Sequence, residues 1–154
     1  HTLQLNVRHD DDSEFGGKTT GGAAYAFAFT PQWRVTASAG TAFRAPTLYQ
    51  RFSQYGVADL KPESSRSAEL GLRYARDDRQ FGLVVFRNEV TDLINFGAAG
   101  PCASAFGCYE NVGEAVFKGV TLSASQRLGV ANFWGSVDFQ KPTNADTGNL
   151  LARR

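Results

Sequence analysis

The chain has 154 residues, with 16 basic and 15 acidic side chains for a net charge of +1, 12 phenylalanines and 16 glycines. So balanced a charge leaves no basic footprint for nucleic acid, and no apolar run reaches the ~20 residues of a membrane helix. The mean hydropathy of −0.29 suits a soluble protein and equally a membrane β-barrel, where apolar and polar positions alternate and cancel.

Period-two alternation begins at once. Leu3, Leu5 and Val7 share one face of a strand expected over 2–9, with Gln4, Asn6 and Arg8 on the other. Asp10 to Glu14 then read as a charged loop closing at Gly16–Gly17. Clustered carboxylates suit Ca²⁺, but the spacing is not that of an EF-hand loop, and a solvated acidic loop is the preferred reading. A second strand over 19–30 sets Tyr25, Phe27 and Phe29 against Ala24, Ala26 and Ala28. After a turn at Pro31–Gln32, a third strand over 33–44 sets Trp33, Val35, Ala37 and Ala39 against Arg34, Thr36, Ser38 and Gly40. Trp33 beside that turn suits either an interfacial aromatic belt or the rim of a soluble core. Pro46 removes a ladder donor and biases Ala45 away from helix, so strand pairing is expected to stop there.

A loop over 45–65 leads to a fourth strand over 66–76, a turn at Asp77–Asp78, and a fifth strand over 80–96. The fifth is far longer than the usual ~5–6 residues. A loop of small residues over 98–108 precedes a sixth strand over 109–128, a turn at Gly129, and a seventh strand over 132–141. A polar loop over 142–149 ends at the expected start of an eighth strand. Connections near 31, 78 and 130 are short; those at 10–18, 45–65, 98–108 and 142–149 are longer. Strict alternation of short and long connections predicts an all-β, antiparallel up-and-down meander of about seven strands, as in barrels with short turns at one rim and long loops at the other. Greek-key sandwiches do not alternate in this way.

Candidate chemistry is sparse. Cys102 and Cys108, six apart in a polar loop, suggest a local disulfide and an oxidising compartment, with free thiols as the alternative. The only histidines are His1 and His9, neither near the cysteines, so no zinc site is expected. His9 adjoins Asp10 and Asp11, but no serine or cysteine stands beside it in an activating context, and no catalytic role is assigned to any residue. Arg34, Arg44, Arg73, Arg87 and Lys118 lie on or near strands. In a membrane barrel they belong in the lumen or beyond the hydrocarbon band, because a cation at the lipid midplane costs about 2–4 kcal/mol. Arg87 shares its phase with Phe81, Leu83 and Val85. It therefore requires either a position above the apolar band or a bulge that resets the alternation.

Several segments, in order, resemble the TonB-dependent outer-membrane receptor barrel. They are Gly40-Thr-Ala-Phe-Arg-Ala-Pro-Thr-Leu-Tyr49, Leu60-Lys-Pro-Glu63, Ala68-Glu-Leu-Gly-Leu-Arg-Tyr74, Phe86-Arg-Asn-Glu-Val-Thr-Asp-Leu-Ile94, Tyr109-Glu-Asn-Val-Gly113, Lys118-Gly-Val120 and the terminal Asp146 to Arg154. Within that family the chain is most similar to vitamin B12 (cobalamin) receptors, and less specifically to ferric-siderophore and haem receptors. The resemblance implies part of a transmembrane barrel of about 22 strands with a plugged lumen. Residues 1–154 would be a partial barrel domain, with the plug domain and the segment that contacts TonB missing. Such a fragment is not expected to transport alone.

The resemblance implies a bacterial outer-membrane location, contact with outer-membrane lipid and lipopolysaccharide, and, for the parent, a plug, TonB and a cobalamin or iron-chelate substrate. Arg153, first of the terminal Arg-Arg pair, matches a lumenal position near the substrate in cobalamin receptors. Tyr49, Tyr55 and Phe106 are candidate substrate contacts through aromatic character alone, with loop packing or lipopolysaccharide contact as the alternative. No cofactor is expected, and Asp10–Glu14 does not match the calcium-binding hairpins of cobalamin receptors. A small self-contained pore or structural barrel and a soluble β-sandwich binding module are the readings from other classes.

Overall fold

The computed structural model describes residues 1–98 and 100–151. Seven strands form one sheet in chain order: β1 (Thr2–Asp12), β2 (Gly16–Ala28), β3 (Trp33–Arg44), β4 (Glu63–Arg76), β5 (Arg79–Phe96), β6 (Tyr109–Leu128) and β7 (Ala131–Asn144). Every neighbouring pair is antiparallel. The expected meander is therefore the observed one. A single uncrossed sheet is not a sandwich. No pairing closes β1 onto β7 among the described residues, so the sheet is open, with β1 at one edge and β7 at the other, where Thr143 is bridged to Leu150.

Register carries the alternation from strand to strand. Tyr25, Ala37, Leu70, Val85, Val120 and Phe139 form one cross-strand row. Phe27, Val35, Leu72, Leu83, Leu122 and Val137 form the next row toward the short turns. The row between them, Ala26, Thr36, Gly71, Val84, Thr121 and Asp138, belongs to the opposite face because successive side chains alternate. The apolar face is bare: Leu70 is 57% exposed and Phe139 62%. An uncovered apolar wall several strands wide is what lipid covers in a membrane barrel.

At the short-turn rim the aromatic side chains run ring to ring. Phe29 stacks on Trp33 at 6.3 Å, Trp33 meets Tyr74 at 4.9 Å, and Tyr74 meets Phe81 at 6.1 Å. Four rings in line at the end of the apolar rows favour the interfacial belt over the rim of a soluble core. The opposite rim holds the small buried core, formed by Leu60, Val90, Ile94, Cys108, Ala115 and Val116.

The structure differs from the sequence expectations at four places. The acidic segment is not a long loop: β1 runs to Asp12, and a three-residue turn leads to Gly16 at φ 72°. Asp12 Oδ1 accepts from the N–H groups of Glu14 at 2.9 Å and Phe15 at 3.0 Å, an Asx-type turn that tightens the hairpin. Strict alternation of short and long connections therefore fails at this hairpin. In the expected 45–65 loop, α1 (Leu48–Phe52) forms, and β4 begins at Glu63 rather than Arg66. At the far end, β7 continues past Lys141 to Asn144. The dilemma at Arg87 is also resolved, because β5 pairs in unbroken register with both neighbours from Arg79 to Thr91. No bulge intervenes, and Arg87 stands on the apolar face one step beyond Val85.

Candidate functional site

The long-loop rim is built around ties between segments that are distant in sequence. Arg44 ends β3 and Glu63 opens β4 directly opposite it. The guanidinium donates twice, Nε to Oε2 at 2.6 Å and Nη2 to Oε1 at 2.5 Å. Glu63 is only 9% exposed, and its Oε1 also accepts the Ile94 N–H at 2.7 Å. A carboxylate so deeply buried is tolerable because it is paired and bidentate. This fork fixes the foot of the 45–62 loop to β5.

Beyond Pro46 the loop orders itself locally. Thr47 Oγ1 accepts from Gln50 N–H at 3.2 Å, and Gln50 Oε1 accepts from Thr47 N–H at 2.9 Å, a reciprocal capping box. Arg51 on α1 pairs with Glu14, lies 5.2 Å from the Phe15 ring and 4.8 Å from the Phe52 ring, and donates to the Ala58 carbonyl at 2.8 Å. The helix is thereby stapled to the β1–β2 turn. The return of the loop is held by Asn111 on β6, which bonds both backbone groups of Lys61.

The second long connection, residues 97–108, is closed by the expected disulfide between Cys102 and Cys108, whose Cα atoms are 5.8 Å apart. Gly107 sits at φ 140°, and a Cβ there would lie 2.5 Å from the Gly97 carbonyl and 2.6 Å from the Phe96 ring. Only glycine fits so close a return.

The structure brings two of the candidate aromatics together. Tyr55 is half-buried, its ring edge-on to Phe96 at 5.7 Å, and its carbonyl accepts the Tyr109 N–H at 2.9 Å. Phe96 packs edge-on to Tyr109 at 5.4 Å, and Tyr49 lies edge-on to Tyr109 at 6.3 Å. Tyr49 keeps 59% of its surface free. Phe106 stands apart at a loop tip, 89% exposed. Arg153 lies outside the described residues. Sequence reasoning assigned no role to Arg51, Phe96, Tyr109 or Asn111, although the last two fall in the quoted Tyr109-Glu-Asn-Val-Gly113 segment.

The polar face supplies the other half of the site. Small and polar side chains line it at Ser38, Gly40, Glu69, Ser67, Thr121 and Asp138. Just below the rim it holds a recess of about 380 Å³ lined by Ala42, Arg44, Glu63, Ser65, Asn88 and Phe117, among others. Asn88 Oδ1 is buried there without a hydrogen-bond partner among the described residues.

His9 Nδ1 is engaged with Thr19 Oγ1 at 2.9 Å. Among the described residues no three His, Cys, Asp or Glu side chains converge as metal ligands. The acidic hairpin is internally committed: Asp10 binds Arg8, Glu14 binds Arg51, and the N–H groups of Glu14 and Phe15 hold the Asp12 carboxyl below the ordinary carboxylate range. What the arrangement offers is a wall with one lipid-compatible face, one polar face and a braced rim that displays aromatic side chains.

Comparison with known proteins agrees with this geometry. Residues 1–154 match the family described as TonB dependent receptor-like, beta-barrel. The chain is 34% identical over 154 residues to the vitamin B12 transporter BtuB of Vibrio cholerae serotype O1 (strain ATCC 39541), covering 99% of this chain and 24% of that protein. It thus spans about a quarter of the length of the curated relatives it matches. Among solved structures it superposes on the siderophore receptor PirA from Acinetobacter baumannii with TM-score 0.78 and 22% identity, covering 97% of this chain and 26% of that one. It also superposes on a mutant of the ferric enterobactin receptor PfeA from Pseudomonas aeruginosa, solved with enterobactin, with TM-score 0.76 and 25% identity, covering 97% of this chain and 26% of that one.

Proposed function

The chain belongs to the TonB-dependent receptor-like β-barrel family, and from that premise we propose that it forms part of the wall and outward rim of a cobalamin transporter. TonB-dependent receptors are transport proteins of the bacterial outer membrane, not enzymes. In this reading the apolar face meets lipid, the polar face lines the lumen, and the long-loop rim faces outward. Residues 1–154 would be one portion of a larger barrel whose two edges continue into neighbouring strands, since open edges are not stable in a bilayer. A plug rearranged by TonB would supply the moving part; this portion would supply wall and loops.

The observation that carries the cobalamin assignment is the 34% identity with a vitamin B12 transporter over essentially the whole chain, rim included. Tyr49 and Phe106 are the better candidate cargo contacts, being the more exposed, while Tyr55 is partly committed to Phe96. Arg153 is proposed as a lumenal contact on the strength of the motif match alone. The second reading is a ferric-siderophore receptor, favoured by the similarity of fold to PirA and PfeA. Titration of the full-length protein with cobalamin and, separately, with ferric enterobactin separates the two. Saturable cobalamin binding without ferric-enterobactin binding is expected; the reverse would overturn the assignment.

A further inference from the structure

Arg87, the cation that the alternation sets on the apolar face, is part of a set. Arg87, Lys118 and Lys141 occupy one cross-strand row on the apolar face, Arg87 opposite Lys118 and Lys118 opposite Lys141. The row lies one step beyond Val85, Val120 and Phe139, where the apolar rows of β5–β7 end. All three side chains are exposed. Arg87 is tied to Glu89, its Nε donating at 2.8 Å, whereas Lys118 and Lys141 have no ion pair or hydrogen bond among the described residues. One row further on, Arg66 faces Glu89, and Glu114 lies two rows beyond Lys118. These two carboxylates do not balance the four cations.

Like charges directly opposite each other in a sheet repel, so two free lysines flanked by an arginine favour an anion between them. The position limits what that anion is. On the lumenal face such a row could serve the plug or the cargo, but this face points away from both. At the boundary of the apolar band it meets the headgroup layer of the leaflet on the long-loop side. We propose that Arg87, Lys118 and Lys141 form a binding site for a phosphorylated lipid headgroup of the outer leaflet, with the acyl chains lying along Val85, Val120 and Phe139. The site rests on the barrel reading for which face meets lipid. Polybasic sites at a membrane surface gain affinity with each added cation and lose it as salt rises.

The test uses the full-length protein in nanodiscs of phosphatidylcholine, plain or doped with diphosphoryl or monophosphoryl lipid A, with retained lipid counted by native mass spectrometry. Enrichment of the diphosphoryl lipid is expected in the wild type. It should fall about thirtyfold in Lys118→Gln/Lys141→Gln, two cations being removed, and stay unchanged in the lumenal control Arg34→Gln/Arg73→Gln. Rising salt should release the lipid from the wild type, a measurement that needs no variant. Unchanged enrichment in the double variant, or salt-independent retention, would overturn the site. Displacement by millimolar inorganic phosphate would indicate a soluble-anion site and overturn the lipid assignment. The folded band on an unheated gel reports the barrel separately: if it persists without lipid enrichment only the site fails, and if it is absent both readings fail.

Discussion

Asn111 and Lys61, fifty residues apart, are joined by two hydrogen bonds: the Lys61 N–H donates to Asn111 Oδ1 at 2.8 Å, and Asn111 Nδ2 donates to the Lys61 carbonyl at 3.0 Å. The same Nδ2 donates to the Asp92 carbonyl at 2.7 Å. Both targets are irregular backbone. Lys61 precedes Pro62, which has no N–H, and Asp92 sits at φ 55°. One side-chain amide thus satisfies backbone groups that no ladder reaches, using two donors and one acceptor.

Asn111→Ala is therefore expected to free the return of the 45–62 loop, at a cost of about 1–3 kcal/mol from unsatisfied backbone groups. Hydrogen exchange at the Lys61 amide should quicken while exchange in the lower half of β6 stays unchanged. Asn111→Asp keeps the acceptor and loses the donors, so it should retain part of the Lys61 protection. Full protection in the alanine variant would refute the latch.

Glu63 accepts from Arg44 and from Ile94 at the foot of the same loop. Glu63→Ala removes the acceptor for a buried N–H and leaves Arg44 without its anion, a local loss of about 1–3 kcal/mol or somewhat more. Faster cleavage within α1 by a trypsin pulse at Arg51 is the expected readout. Glu63→Gln should fall between wild type and alanine. Equal cleavage rates in all three proteins would contradict the proposed brace.

Asp12 supplies a pH dependence with a defined sign. Its folded pKa is depressed by the N–H groups of Glu14 and Phe15. Its contribution is thus present above the unfolded carboxylate value, ~3.9, and is lost as pH falls through the lower folded value. Exchange at the Glu14 and Phe15 amides should lose its protection at the acid end, and Asp12→Asn should flatten that dependence. An unchanged acid profile in the variant would assign the titration to another group.

The two faces should respond unequally to charge. Leu83→Lys places a cation in the middle of the apolar rows and is expected to destabilise the inserted barrel by about 2–4 kcal/mol. Ser136→Lys, on the polar face of β7, should cost far less. Urea titration of the reconstituted full-length protein measures both. Equal losses would contradict the assignment of faces.

Much of the wall was legible residue by residue. Leu70, Leu72 and Tyr74 against Glu69, Gly71 and Arg73 is a period-two pattern, and in a strand that pattern and the face it implies are the same fact. Short turns were legible at Pro31 and at Asp77–Asp78. The acidic hairpin looks like a long loop in the sequence because composition reports polarity, whereas its length is set by Asp12 capping two amides and Gly16 taking a positive φ. The capping box of α1 was present in the sequence as Thr47 and Gln50, but a five-residue helix has no apolar period to announce it.

The sequence by itself determined the alternating faces, the order of the strands and the family resemblance, and suggested the disulfide, all of which depend on neighbours close along the chain or on ordered motifs. Only the tertiary structure decided the rest. The Arg44–Glu63 fork and the Arg87–Lys118–Lys141 row join residues from different strands that cross-strand register sets side by side, and the Asn111 latch joins a strand to a loop residue fifty positions away. A register shift of one residue would send each of these side chains to the opposite face. That is why the same arginine reads as an anomaly along β5 and as one member of a basic row across β5, β6 and β7.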